Sequence, residues 1–162
     1  MNSYLLNFVI PQGPTGPTGP TSGLAAYGGR YSNTSQTINL TAGSATQIPL
    51  ALTLPNNNVT YPTSNAITIS QAGTYEINYY VNVSATGASN LTLAVRNNGT
   101  NIPSTIITRS LTANSNLIYN GSTFVTLTSG SVIDLVISAT IALGVNLGSG
   151  VNATLTIKKI SS

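Results

Sequence analysis

Glycine returns at every third position through Gly13-Pro14-Thr15-Gly16-Pro17-Thr18-Gly19-Pro20-Thr21. That spacing is required when three polyproline-II strands wind round one axis, because only a hydrogen side chain fits at the crowded centre. The frame ends at Ser22. Nine residues in that conformation extend roughly 28 Å, too short a thread to hold three chains together unaided. Residues elsewhere must gather the copies. The same run also reads as a flexible Pro/Gly linker. The strict frame, with proline in every second slot, favours the collagen-like reading and therefore a homotrimer.

Downstream of this stub the chain reads as all-β. Tyr75-Glu76-Ile77-Asn78-Tyr79-Tyr80-Val81-Asn82-Val83 places apolar residues at odd positions and mostly polar ones at even positions. This is the period-2 pattern of a half-buried strand. Leu91 to Arg96 repeats it, and Asn97-Asn98-Gly99 follows as a hairpin turn. Val151 to Lys158 alternates again. Further strands are expected over 36–40, 46–54, 65–70, 104–110, 115–119, 122–128 and 132–140. Ala72-Gly73, Asn120-Gly121 and Ser129-Gly130 supply turn signals between several of them. No sustained 3.6-residue apolar period occurs, so the expected architecture is an antiparallel sandwich or jelly roll. Val132-Ile133-Asp134-Leu135-Val136-Ile137 is apolar on both faces, as in a strand covered on both sides. One face would meet the core and the other a neighbouring subunit.

Three zones follow: an amphiphilic leader at 1–12, the collagen-like stub at 13–22 and a β domain at 23–162. The leader lacks a basic start and a small-residue cleavage site, so no secretory signal is expected. No run reaches 18 apolar residues, so no membrane-inserted span is expected either. The leader's Tyr4, Leu5, Leu6, Phe8, Val9 and Ile10 read either as a candidate anchor that adds as a strand to another sheet edge or as a disordered tail.

Charge and chemistry narrow the function. Charged residues make up 4% of the 162-residue chain, against about 25% in ordinary soluble domains. The net charge of +3 rests on Arg30, Arg96, Arg109, Lys158 and Lys159, which form no basic stripe of the kind nucleic-acid binding needs. Cysteine and histidine are absent, which removes disulfides, thiolate and imidazole metal sites and the usual nucleophilic triads. The two acidic side chains, Glu76 and Asp134, could in principle meet across adjacent strands as a hydrolytic pair. The simpler reading gives each a cationic or hydroxyl partner. No enzymatic activity, cofactor or metal is expected. Eight Asn-x-Ser/Thr triplets occur, as expected by chance in so Asn-, Ser- and Thr-rich a chain, and none is read as glycosylated.

A collagen-like stretch followed by about 140 β-rich residues resembles the tumour-necrosis-factor-like jelly roll, the globular head of complement-type collagenous proteins. Leu24-Ala25-Ala26-Tyr27-Gly28-Gly29-Arg30-Tyr31 is similar to that family's first strand, and Gly73-Thr74-Tyr75-Glu76-Ile77 to its Gly-x-Tyr strand entry. Leu93 to Gly99 resembles its strand leading into an Asn-Gly turn. Leu127-Thr128-Ser129-Gly130-Ser131 resembles its Leu-x-x-Gly-Asp turn, with Ser131 where Asp is usual, against a family-type calcium site. The Gly-Pro-Thr triplets further resemble the BclA-type collagen-like glycoproteins of bacterial endospores. That resemblance implies a leader docked on the exosporium, spore coat or an appendage protein, sugars on Thr15, Thr18 and Thr21, and a trimeric knob exposed at the spore surface.

Within the knob, Tyr80 lies on the row opposite the core-facing Tyr75 and Tyr79. Tyr80, with Tyr27, Val132 and Val136, is the candidate trimer interface, since tyrosine combines apolar area with a polar handle. A second hypothesis makes the trimer an adhesin for a glycan or host receptor, through Asn56-Asn57-Asn58, Gly87-Ala88-Ser89-Asn90 or Thr112-Ala113-Asn114-Ser115-Asn116. A viral fibre knob is a third.

Overall fold

The computed structural model describes residues 23–161, together with Met1 and Gly13. The anchor residues Tyr4 to Ile10 and the stub threonines Thr15, Thr18 and Thr21 lie outside the described residues. Along the chain the strands are β1 (Tyr27–Ser32), β2 (Gln36–Leu40), β3 (Thr46–Gln47), β4 (Leu52–Thr53), β5 (Val59–Thr60), β6 (Ala66–Ile69) and β7 (Gly73–Ala85). They continue as β8 (Ser89–Asn97), β9 (Thr100–Asn101), β10 (Ile107–Leu111), β11 (Asn116–Leu127), β12 (Val132–Ala139), β13 (Leu143–Leu147) and β14 (Ala153–Ser161), with a 3₁₀ turn at Pro103–Thr105.

Two antiparallel sheets form. In sheet A, β7 pairs with β11 along almost its whole length on one side, and with β14 and then β13 on the other. The order runs β4-β1-β14-β7, and β2 pairs β13. Sheet B has the order β10-β8-β12-β6-β5, with β3 on β12 and β9 on β8. The chain repeatedly leaves one sheet for the other (β6 to β7, β7 to β8, β10 to β11, β11 to β12, β12 to β13), which makes the sandwich a jelly roll.

Period-2 alternation explains the core. Tyr75, Ile77, Tyr79, Val81 and Val83 of β7 are buried, as are Leu91, Leu93 and Val95 of β8 and Ile133, Leu135 and Ile137 of β12, all within one cluster. Each such side chain contributes about 1.5–3 kcal/mol relative to exposure. Arg30 is also buried; it donates to the carbonyls of Leu50, Tyr61 and Thr63, tying β1 to the segments that cross between the sheets. The Asn98-Gly99 turn has φ of 50° and 80°. Two left-handed residues linking Arg96↔Asn101 and Asn97↔Thr100 are the hairpin geometry that Asn-Gly favours.

Several boundaries differ from the sequence reading. Asn120-Gly121 is not a turn: β11 runs straight through it. Gly121 faces Tyr79 across the ladder, and a methyl group there would run into the tyrosine hydroxyl. The glycine is needed because the Tyr79 ring lies over β11 on its way to the Thr105 carbonyl. The expected strand over 46–54 is two short ones in different sheets, β3 and β4, with Pro49 between them. Proline cannot donate to a ladder, so the chain changes sheet there. The expected strand at 104–110 opens instead with the 3₁₀ turn, where the Thr105 hydroxyl accepts from Val95 N–H at 2.9 Å. β5 and β13 were not expected.

Candidate subunit interface

The outward rows of sheet A follow from the register. One row runs Phe124 (β11), Glu76 (β7), Lys158 (β14) and Tyr27 (β1). The next comprises Ser122, Asn78, Thr156 and Gly29. The third comprises Asn120, Tyr80, Thr154, Tyr31 and Leu52. Phe124 is 65% exposed, while Tyr27 and Leu52 are exposed and Tyr80 and Tyr31 half-buried. Glu76 and Lys158 form an ion pair of 2.6 Å within the first row. The Lys158 ammonium, with Asn78 and Ser122 adding hydrogen bonds, holds the Glu76 carboxyl below the usual carboxylate range.

A cleft of about 260 Å³ opens on the same face, lined by Leu24, Tyr27, Leu54, Pro55, Thr156 and Lys158 among others. Two of its lining residues, Leu54 and Thr156, close over Gly29, where a side chain would collide with both. Leu54 is held over β1 by its N–H to the Gly29 carbonyl at 2.9 Å, and by its own carbonyl accepting from the Tyr61 hydroxyl.

The four sequence-derived interface residues do not share a surface. Tyr27 and Tyr80 lie on the sheet A face, whereas Val132 and Val136 lie on the outward row of β12 in sheet B. Val136 is only 3% exposed within the single chain. Its own chain already covers it: Ala94 faces it across the ladder, and Asp134, Arg96 and Gln47 are tied together beside it. The residues missed by the sequence reading are Phe124 and Leu54. Even positions of β11 alternate outward, which could have found Phe124. Leu54 depends on a long-range crossing.

Glu76 and Asp134 sit on opposite outer faces of the sandwich, each with its own cation, Lys158 and Arg96. They do not form the facing carboxylate pair that glycoside hydrolysis uses. The three candidate binding loops separate by end. Gly87–Asn90 and Thr112–Asn116 meet at one end, where Asn114 N–H donates to the Ala85 carbonyl. Asn56-Asn57-Asn58 lies at the other, bonded to Tyr27 and Ala25 beside Gly23. Along β7 these ends are roughly 30 Å apart.

Two antiparallel sheets joined in this order, with one open aromatic face, define a TNF-like, complement-globular-head-like jelly roll. Murine APRIL superposes with a TM-score of 0.55 at 12% identity, covering 83% of this chain and 98% of the other. The globular domain of zebrafish complement 1qA protein gives 0.53 at 15% identity, with 83% and 97% covered. Vertex protein P5 of PRD1 gives 0.54 at 17%, with 86% and 100% covered. These likenesses concern the fold. No curated protein matches the chain by sequence. Residues 29–161 match the BclA C-terminal domain, and the chain belongs to that family.

Proposed function

We propose that this chain is a structural protein of the spore surface: a homotrimeric knob on a collagen-like stalk, fixed to the exosporium or a spore appendage by its leader. The observation that carries the reading is the Gly-Pro-Thr frame running directly into a BclA C-terminal domain. The described strand-borne residues that leave large apolar side chains exposed (Tyr27, Leu52, Ile118, Phe124 and Ile160) all belong to sheet A. A domain with one apolar sheet face supports association, and the three-residue glycine frame sets the number of copies at three. In this reading Tyr4 to Ile10 anchor the protein, and Thr15, Thr18 and Thr21 accept sugars. The test is labelling of intact spores with an antibody against residues 23–161, with and without residues 1–12. Surface labelling lost on leader deletion supports the proposal. Labelling confined to broken spores contradicts it.

The meeting of loops Gly87–Asn90 and Thr112–Asn116 at the end away from Gly23 favours a second reading, an adhesive tip. A glycan array probed with the full chain tests it, and a uniformly blank array leaves the structural role standing.

A further inference from the structure

Phe124 and the Leu54 cleft are complementary features on one sheet face, and they cannot meet within one chain. Phe124 is the most exposed large apolar side chain in residues 23–161. Its neighbours are polar: Glu76 directly opposite, with Ser122 and Thr126 before and after it on the same side of β11. Among the described residues it stays 65% exposed. Glu76 and Lys158 stand between it and Tyr27 at the far wall of the cleft, three strand spacings or roughly 14 Å away. The cleft is walled by Leu24, Tyr27, Leu54 and Pro55 and has room for one phenyl ring. Lys158 at its rim supplies a cation, the group an aromatic face attracts.

We infer that Phe124 of one copy fills the cleft of the next, so that each subunit offers a ring to one neighbour and receives a ring from the other. The occupant is a second copy of this chain because the missing partner of each feature is the other feature. A contact of this head-to-tail kind closes into a ring when its rotation permits. The glycine frame at 13–21 favours three chains round an axis, and on that reading the ring closes at three. The inference rests on the three-copy reading above and adds the contact that produces it. Gly29 and Leu54 then acquire a role: the glycine lets Leu54 and Thr156 close over β1, and the leucine forms a wall of the seat. Tyr27, exposed in the single chain, becomes part of the seat.

Phe124→p-azidophenylalanine keeps the ring and adds a photoreactive group, in a chain with no cysteine to complicate gels under denaturing conditions. After illumination of the full-length variant, we expect covalent dimers and trimers, with peptide mapping joining residue 124 to residues 54–55 or 156–158. Phe124→Asp should reduce the solution mass from three chains to one at micromolar concentration, with the β circular-dichroism spectrum retained. A threefold wild-type mass with crosslinks elsewhere, or within one chain only, overturns this contact and leaves the three-copy reading intact. Crosslinks that stop at covalent dimers, with a twofold mass, overturn the ring. A single-chain mass for the wild type removes the three-copy reading itself.

Discussion

The two outer faces of the sandwich solve the same problem in opposite ways. Sheet B pairs most of its central outward polar side chains within the chain, Thr68 Oγ1 being the exception. Thr92 and Thr108 hydroxyls bond at 2.8 Å, Ser110 donates to Asn90 at 2.7 Å, and Asp134 takes hydrogen bonds from both Arg96 and Gln47. Ala66, Ala94 and Val136 are buried around that network. Sheet A leaves Phe124, Ile118, Leu52 and Tyr27 exposed, with a cleft beside them. One face is completed by the chain itself; the other keeps apolar side chains exposed, and it is the face that the proposed assembly would cover. Both faces carry an ion pair, so charge does not separate them; exposed apolar area does.

The largest expected effect contrasts the faces directly. Phe124→Asp on sheet A removes the burial of one phenyl ring at each subunit contact, about 2–3 kcal/mol, or roughly a hundredfold in association per contact. Val132→Asp on the sheet B face should leave the solution mass unchanged. Light scattering on the pair of variants checks this, and equal behaviour would erase the distinction.

Next in size is Asp134→Asn. It strands the Arg96 guanidinium, whose pKa the aspartate raises, beside a half-closed apolar patch. A loss of about 2 kcal/mol in urea unfolding is expected, with the assembly state preserved. A loss of assembly instead would move sheet B into the interface. Gly121→Ala should cost about 1–3 kcal/mol, because the methyl group must displace the Tyr79 ring from its bond to Thr105. The same unfolding curves measure it, and a neutral result would show that the ring moves freely.

The smallest effect concerns pH. Burial pushes the Tyr119 hydroxyl up to about 12, opposed by Arg109, and raises Tyr75 and Tyr79 as well. A tyrosine whose folded pKa is raised contributes stability that is intact below its unfolded pKa of about 10, and loses it as pH rises toward the folded value. Stability should therefore be flat from pH 5 to 9 and fall above 10. In Tyr119→Phe the alkaline fall should be shallower, while the neutral-pH value drops through the lost bond to the Leu91 carbonyl. Equal slopes for the two proteins would contradict the assignment to Tyr119.

Much of the fold is legible locally. The alternation from Tyr75 to Val83 predicts the central strand of sheet A, and the doubly apolar run from Val132 to Ile137 predicts a strand with both sides covered. Asn98-Gly99 names its own turn. What is not legible depends on partners distant in sequence. Asn120-Gly121 has the composition of a turn, yet the glycine answers to Tyr79 on another strand. Residues 46–54 have the composition of one strand, yet the chain changes sheet inside them. Val136 reads as an interface residue because its strand is apolar on both faces; the sequence does not disclose that Ala94 and the Asp134 network already cover it. The cleft was invisible for the same reason, since Leu54 reaches it only by crossing β1 at Gly29.

Light-scattering mass of the full-length chain at micromolar concentration, in low and high salt, tests the assembly claim most directly. Three times the 16.6 kDa of one chain is expected at both salt concentrations if apolar contacts carry the association. A folded species of single-chain mass, with Phe124 open to water, would contradict it.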